Sequence, residues 1–98
     1  MERVEVIELD IGHTVHVTVT AQIEQAIAVA RDARNQGATK VSAVRKVYPS
    51  IADHPKGAIW FAIMNGVDMT SRGAVTYYYM MRREFRRRPV ATRIQPVG

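Results

Sequence analysis

The chain has no cysteine among its 98 residues. That absence excludes disulfides and thiolate metal sites, and nothing in the composition suggests an oxidising compartment. No apolar run approaches the roughly 20 residues of a membrane span. Residues 1–11 mix acidic and apolar side chains, which is not the pattern of a signal peptide, so the expected location is the cytoplasm. Strings with the spacing of phosphate-binding, dinucleotide or nucleophile-elbow loops are missing too. Ser42, Ser50 and Ser71 have no evident His/Asp partnership. His13 and His16 are expected on opposite faces of a strand, where they cannot close on one metal. His54 suits a cap or loop better than a ligand or base. These gaps argue against an enzyme, and they leave no cofactor and no metal to assign.

Charge is present, but unevenly. Residues 1–70 hold seven Lys/Arg and eight Asp/Glu, a net of −1. Residues 71–98 hold seven Arg and only Glu84, a net of +6, and the two sum to the chain's +5. A basic segment on a near-neutral body suggests an anionic partner. All of its cations are arginine, which suits phosphates and base edges better than lysine does. The plain alternative is a solubilising tail.

The length is that of a single domain, residues 1–98. Residues 3–20 read as a β-hairpin. Val15, Val17 and Val19 alternate with polar residues, and Gly12 marks the turn. In the first strand Val4 and Val6 lie on one parity, and Ile7, Leu9 and Ile11 on the other. That switch suggests a bulge at Val6–Ile7 or a strand buried on both faces. Glu5, Glu8 and Asp10 read as solvated edge charges. A lone hairpin is marginal in water, so it must pack on the helices or on a second copy.

Residues 21–88 read as a helical bundle. The first helix, 21–36, lies between the cap Thr20 and the stop Gly37, with a small-residue stripe of Ile23, Ala26, Ile27 and Ala30. The second, 40–48, starts at the cap Thr39 and is expected to stop at Pro49. The third, 55–65, is capped by Asp53 or His54, carries Pro55 in its first turn, and is apolar almost all round, hence buried. The fourth starts at the cap Thr70 and is expected to end at Pro89, leaving 89–98 as a mobile tail.

The last two helices have the outline of a helix-turn-helix. The fourth has an inner stripe of Ala74, Tyr77, Tyr78, Met81 and Phe85, and an outer face of Arg72, Thr76, Tyr79 and Arg83. Arg72 and Thr76, near its start, suit base edges. Arg82, Arg83, Arg86, Arg87 and Arg88 suit phosphates. Tyr79 can stack on an unpaired base or stand as an ordinary exposed tyrosine. The spacing is awkward. Gly66 as the turn glycine places Ala62 well but puts Arg72 where an apolar residue belongs. Asp68 as the turn residue places Ala74 and Tyr77 well but leaves Met64 where a small residue belongs. Either the turn is two residues longer than usual or the third helix runs on to Val67. The longer turn is preferred here, because Asn65-Gly66 is a strong helix stop.

The string Met69-Thr70-x-x-Gly73-Ala74-x-Thr76-Tyr77-Tyr78-Tyr79, with basic residues after it, resembles a pattern in small proteins of tailed bacteriophages and their bacterial hosts. The resemblance spans about 40–88, including Arg45-Lys46-Val47-Tyr48-Pro49. It implies a phage or prokaryotic origin, and roles for Thr70, Gly73 and Ala74 in the turn and in close helix packing.

The expectation is therefore an α+β fold, an N-terminal hairpin followed by four helices, in a small DNA-binding regulator or accessory factor. Its partner would be duplex DNA. A homodimer would form through the hairpin or through helix 21–36. The rival is an adaptor or inhibitor that meets an acidic host protein with the same basic face.

Overall fold

The computed structural model describes the backbone of residues 2–10 and 12–97, and the side chains of 2–9 and 12–86. Two antiparallel strands precede four helices: β1 Arg3–Asp10, β2 His13–Val19, α1 Ala21–Asn35, α2 Lys40–Ile51, α3 Lys56–Val67 and α4 Ser71–Val97. The expected α+β architecture is present.

Strand pairing runs unbroken from Arg3↔Val19 to Glu8↔Thr14, and the irregularity falls between Glu8 and Asp10. The bulge is thus not at Val6–Ile7, and the strand is not buried on both faces. Ile7, Val17 and Val19 face the helices and are buried, while Val4 and Val6 lie on the outer face, 65% and 56% exposed. The parity switch marks an apolar pair left on the solvent side. Gly12, with φ of +79°, makes the turn, a conformation open to glycine at little cost. The hairpin packs its inner face on α3 and α4 of the same chain. Arg3 ties it to α1 by bonding both Glu5 and Glu24, so Glu5 is a solvated edge charge that is also paired.

Thr20 and Thr39 cap α1 and α2 as expected, each hydroxyl accepting from a backbone N–H three residues on. Gly37, with φ of +100°, follows the end of α1. The small-residue stripe of α1 is consumed inside the monomer: Ile23, Ala26, Ile27, Ala30 and Ala33 are all buried, and α1 packs on α2 and α3. That stripe is therefore not free to form a dimer surface.

Four helix ends differ from expectation. Pro49 lies inside α2, which continues to Ile51. A proline fits helical φ but loses one hydrogen bond and crowds the carbonyl four residues back; Ser50 Oγ bonds the Val47 carbonyl at 2.7 Å, and Ile51 is fully buried, which helps hold the last turn. Likewise α4 continues past Pro89 to Val97, where a stop and a tail were expected. Pro55, not Asp53 or His54, is the cap position of α3, and it brings no side-chain bond.

The most informative difference is at Asn65-Gly66. Both lie inside α3, which ends only after Val67. Gly66 serves close helix contact: a Cβ there would stand 2.8 Å from Ala30 Cβ on α1. Asn65 Nδ2 bonds the Phe61 carbonyl within the helix at 2.9 Å. The stop is Asp68, left-handed at φ 57°, with the Met69 N–H returning to the Met64 carbonyl at 3.1 Å. Arg31 Nε and Lys40 Nζ bond the carbonyls of Asn65 and Asp68 near that end, where cations suit the helix dipole.

The buried α3 is the hub, touching α1, α2, α4 and β2. Every residue from Gly57 to Ile63 is buried, as its nearly uninterrupted apolar sequence requires.

Candidate nucleic-acid interface

Three residues, Asp68 to Thr70, join α3 to α4, the length of a helix-turn-helix connection. Thr70 Oγ1 accepts from the Gly73 N–H at 3.2 Å and caps α4. With the left-handed residue at Asp68, Ala74 falls at the core position and is fully buried. At Gly73, in contrast, the nearest neighbours of an added Cβ would be Met69 and Thr70 of its own turn, at 3.4–3.5 Å.

The inner stripe of α4 is set by this start. Ala74, Tyr78 and Met81 are buried, and Tyr77 and Phe85 are half-buried against them. Tyr48 of α2 stacks on Phe85 with centroids 5.5 Å apart, and Tyr78 meets Trp60 of α3 edge-on at 6.1 Å. Burial, then Tyr78, pushes the Tyr48 phenol above its ordinary pKa, against the lowering charges of Arg82 and Arg86.

On the outer side, Arg82, Arg83 and Arg86 are exposed. With Tyr79 they line one open furrow of about 380 Å³. Among the described residues none of the three arginines makes a hydrogen bond or an ion pair. The one carboxylate of α4 does not oppose them. Glu84 is held in a forked pair by Arg45 of α2, Nε to Oε2 at 2.8 Å and NH2 to Oε1 at 3.2 Å. That hydrogen bond raises the Arg45 pKa.

Arg72 and Thr76 do not join this furrow. They lie at the start of α4 beside the hairpin, where Ser71 Oγ bonds the Glu8 carbonyl at 2.9 Å. Thr76 Oγ1 donates to the Arg72 carbonyl at 3.1 Å. Together with Leu9, Trp60, Val75 and Tyr79 they line a second cavity, of about 320 Å³. Tyr79, 43% exposed, belongs to both, and its ring meets Tyr78 edge-on at 4.9 Å. The side chains of Arg87 and Arg88 lie outside the described residues.

Sequence reasoning missed Leu9, Trp60, Val75 and Arg45. Leu9 and Trp60 reach the site only through tertiary packing, and Arg45 is 39 residues from Glu84. A lone tryptophan in a buried helix was the available signal, since an indole N–H requires an acceptor.

A second cationic cleft is lined by Arg31, Arg34 and Lys40. Its cations donate to the carbonyls of Asn65, Ala38 and Asp68, so they cap helix ends. Among the described residues no cluster of three or more His, Asp or Glu could hold a metal ion, and no helix is long and apolar enough to cross a membrane. No protein-family model matches the chain, and no curated protein or solved structure matches it either.

Proposed function

We propose that this chain is a small DNA-binding protein, a regulator or accessory factor of a phage or bacterium acting in the cytoplasm of the bacterial cell. It engages DNA through the outer face of α4, with α3 and the Asp68–Thr70 turn as its supporting helix-turn-helix-like pair. The observation that carries this reading is the furrow itself. Arg82, Arg83 and Arg86 share one open surface, and Arg45 neutralises the only carboxylate on the helix that bears them. Such a surface has positive potential without internal compensation, and forked guanidinium groups match phosphate oxygens. Arg72 and Thr76 carry the contacts nearest the bases, from a helix start held by the hairpin.

The test is fluorescence anisotropy with labelled duplex DNA, comparing the parent with an Arg82→Ala/Arg83→Ala/Arg86→Ala variant. Because all three side chains are exposed, the variant is expected to melt like the parent and to lose most binding. A variant that binds DNA as the parent does removes the reading and leaves an acidic protein surface as the partner of this face.

A further inference from the structure

We infer that the cleft between the end of α1 and the α3–α4 turn binds a phosphate group, carried by a small molecule or by a nucleic-acid backbone. The site shares no residue with the arginine furrow of α4, and it stands or falls independently of the DNA reading.

Three elements build the cleft. Arg31 and Arg34 come from the C-terminal end of α1, and Lys40 opens α2. Asn65 and Asp68, at the end of α3, complete the walls. The volume is about 430 Å³, within the range of small-ligand sites, roughly 300–1,000 Å³. Each cation is fixed by a backbone carbonyl. Arg31 Nε donates to Asn65 at 2.8 Å, Arg34 Nη1 to Ala38 at 2.7 Å and Lys40 Nζ to Asp68 at 3.3 Å. Capping those carbonyls takes one donor from each group, and a guanidinium or an ammonium has several. Among the described residues the remaining donors make no hydrogen bond, and none of the three cations makes an ion pair. Because the carbonyls already hold the three heads, little side-chain freedom is left to lose when a ligand arrives.

Charge decides which ligand fits. Asp68 is the one carboxylate lining the cleft, against three cations. The carbonyl ends of α1 and α3 add roughly −0.5 each, and the N-terminal end of α2 adds roughly +0.5. The excess is therefore about +1.5. Capping alone leaves that excess in place, and like charges gathered in one cleft repel. A phosphate dianion removes the repulsion, where chloride removes only part of it. Guanidinium forks also match phosphate oxygens in geometry, which a spherical ion cannot exploit.

The test follows the backbone amides of the intact protein by 15N NMR at low ionic strength. The probes are inorganic phosphate, AMP and a short DNA duplex, each against sodium chloride of equal ionic strength. Inorganic phosphate is expected to move the amides of Asn65, Val67 and Asp68 where chloride does not. Arg34→Gln is expected to weaken that binding by up to about fivefold. Asp68→Asn removes the opposing carboxylate and keeps a residue that tolerates the left-handed conformation. It is expected to strengthen phosphate binding a few-fold, and it decides the matter if Arg34→Gln disturbs the fold. Asp53→Asn makes the same change of charge between α2 and α3, at a side chain 92% exposed, and is expected to leave binding unchanged. A stronger cleft response to AMP than to the duplex assigns the phosphate to a small molecule, and the reverse order assigns it to a backbone; either supports the site. Phosphate and chloride acting alike, or an Asp68→Asn gain no greater than that of Asp53→Asn, overturns it. Neither result touches the DNA reading, which is scored by the α4 arginine variant.

Discussion

Replacing Gly66 by alanine probes whether this glycine is a contact or a turn. The new Cβ would sit 2.8 Å from Ala30 Cβ and 3.7 Å from the Ile27 backbone. Neither neighbour is the end of a flexible side chain, so α1 and α3 must move apart. Overpacking of that kind costs roughly 1–3 kcal/mol. Alanine's helical preference over glycine returns about 1 kcal/mol. The net expectation is a loss of about 0–2 kcal/mol, or a fall in Tm of up to roughly 16 °C for a domain of this size. The informative partner is Ala30→Gly. Alone it destabilises, by about 1 kcal/mol through helix propensity. Combined with Gly66→Ala it removes the clash, so the double variant should melt near the parent. A turn glycine would show no such rescue, and the two losses would add. Additive losses in the thermal melts would therefore refute the helix-contact reading. Gly73→Ala is the control: its Cβ meets nothing closer than 3.4 Å, and that is the Met69 sulfur, so Tm should rise by a few degrees at most.

Other expectations concern the turn, the aromatic contact and the ion pair. Asp68→Gly removes the cost of a left-handed non-glycine residue and should stabilise by about 0.5–1 kcal/mol in urea melts; a loss would mean that the Asp68 side chain holds the turn. Burial raises the Tyr48 pKa in the folded chain. Its contribution to stability is full below the unfolded value of 10.0 and is lost as pH rises through the folded value, because the unfolded chain ionises first. Stability should fall above that pH, and Tyr48→Phe should flatten the fall; an unchanged profile would assign it to other groups. Glu84→Gln removes the only carboxylate on the helix that carries the furrow arginines and leaves the Arg45 charge unpaired. It should tighten DNA binding and steepen the salt dependence by up to about one phosphate's share, and weaker binding would show that the pair is needed to hold the α2–α4 contact.

Much of the fold could be read from local chemistry. Thr20, Thr39 and Thr70 are caps by residue type and position, and the valine alternation of β2 and the unbroken apolar run of α3 state their own burial. What could not be read depended on neighbours far along the chain. The letters Asn-Gly are the same in a turn and in a helix that needs close approach, and only Ala30 on α1 decides between them. Pro49 and Pro89 signal a helix end, but the cost of a proline within a helix can be outweighed by tertiary packing, as by the burial of Ile51 after Pro49. Val4 and Val6 break the parity of β1 because they lie outside the core, which no pattern within the strand could indicate. At the site, the outer-face arginines followed from helical periodicity. Their division from Arg72 and Thr76 did not, because it comes from the hairpin lying beside the start of α4.

The central claim is that the arginine face of α4 binds nucleic-acid phosphates. Its most direct test is the slope of log K against log salt for duplex DNA, measured for the parent and for the Arg82/Arg83/Arg86 triple-alanine variant. With the three furrow arginines and Arg87 and Arg88 engaging about five phosphates, the parent slope should lie near −4 to −5. Loss of three contacts should bring it to about −2. A parent slope near zero, or one that the triple substitution leaves unchanged, would contradict the claim.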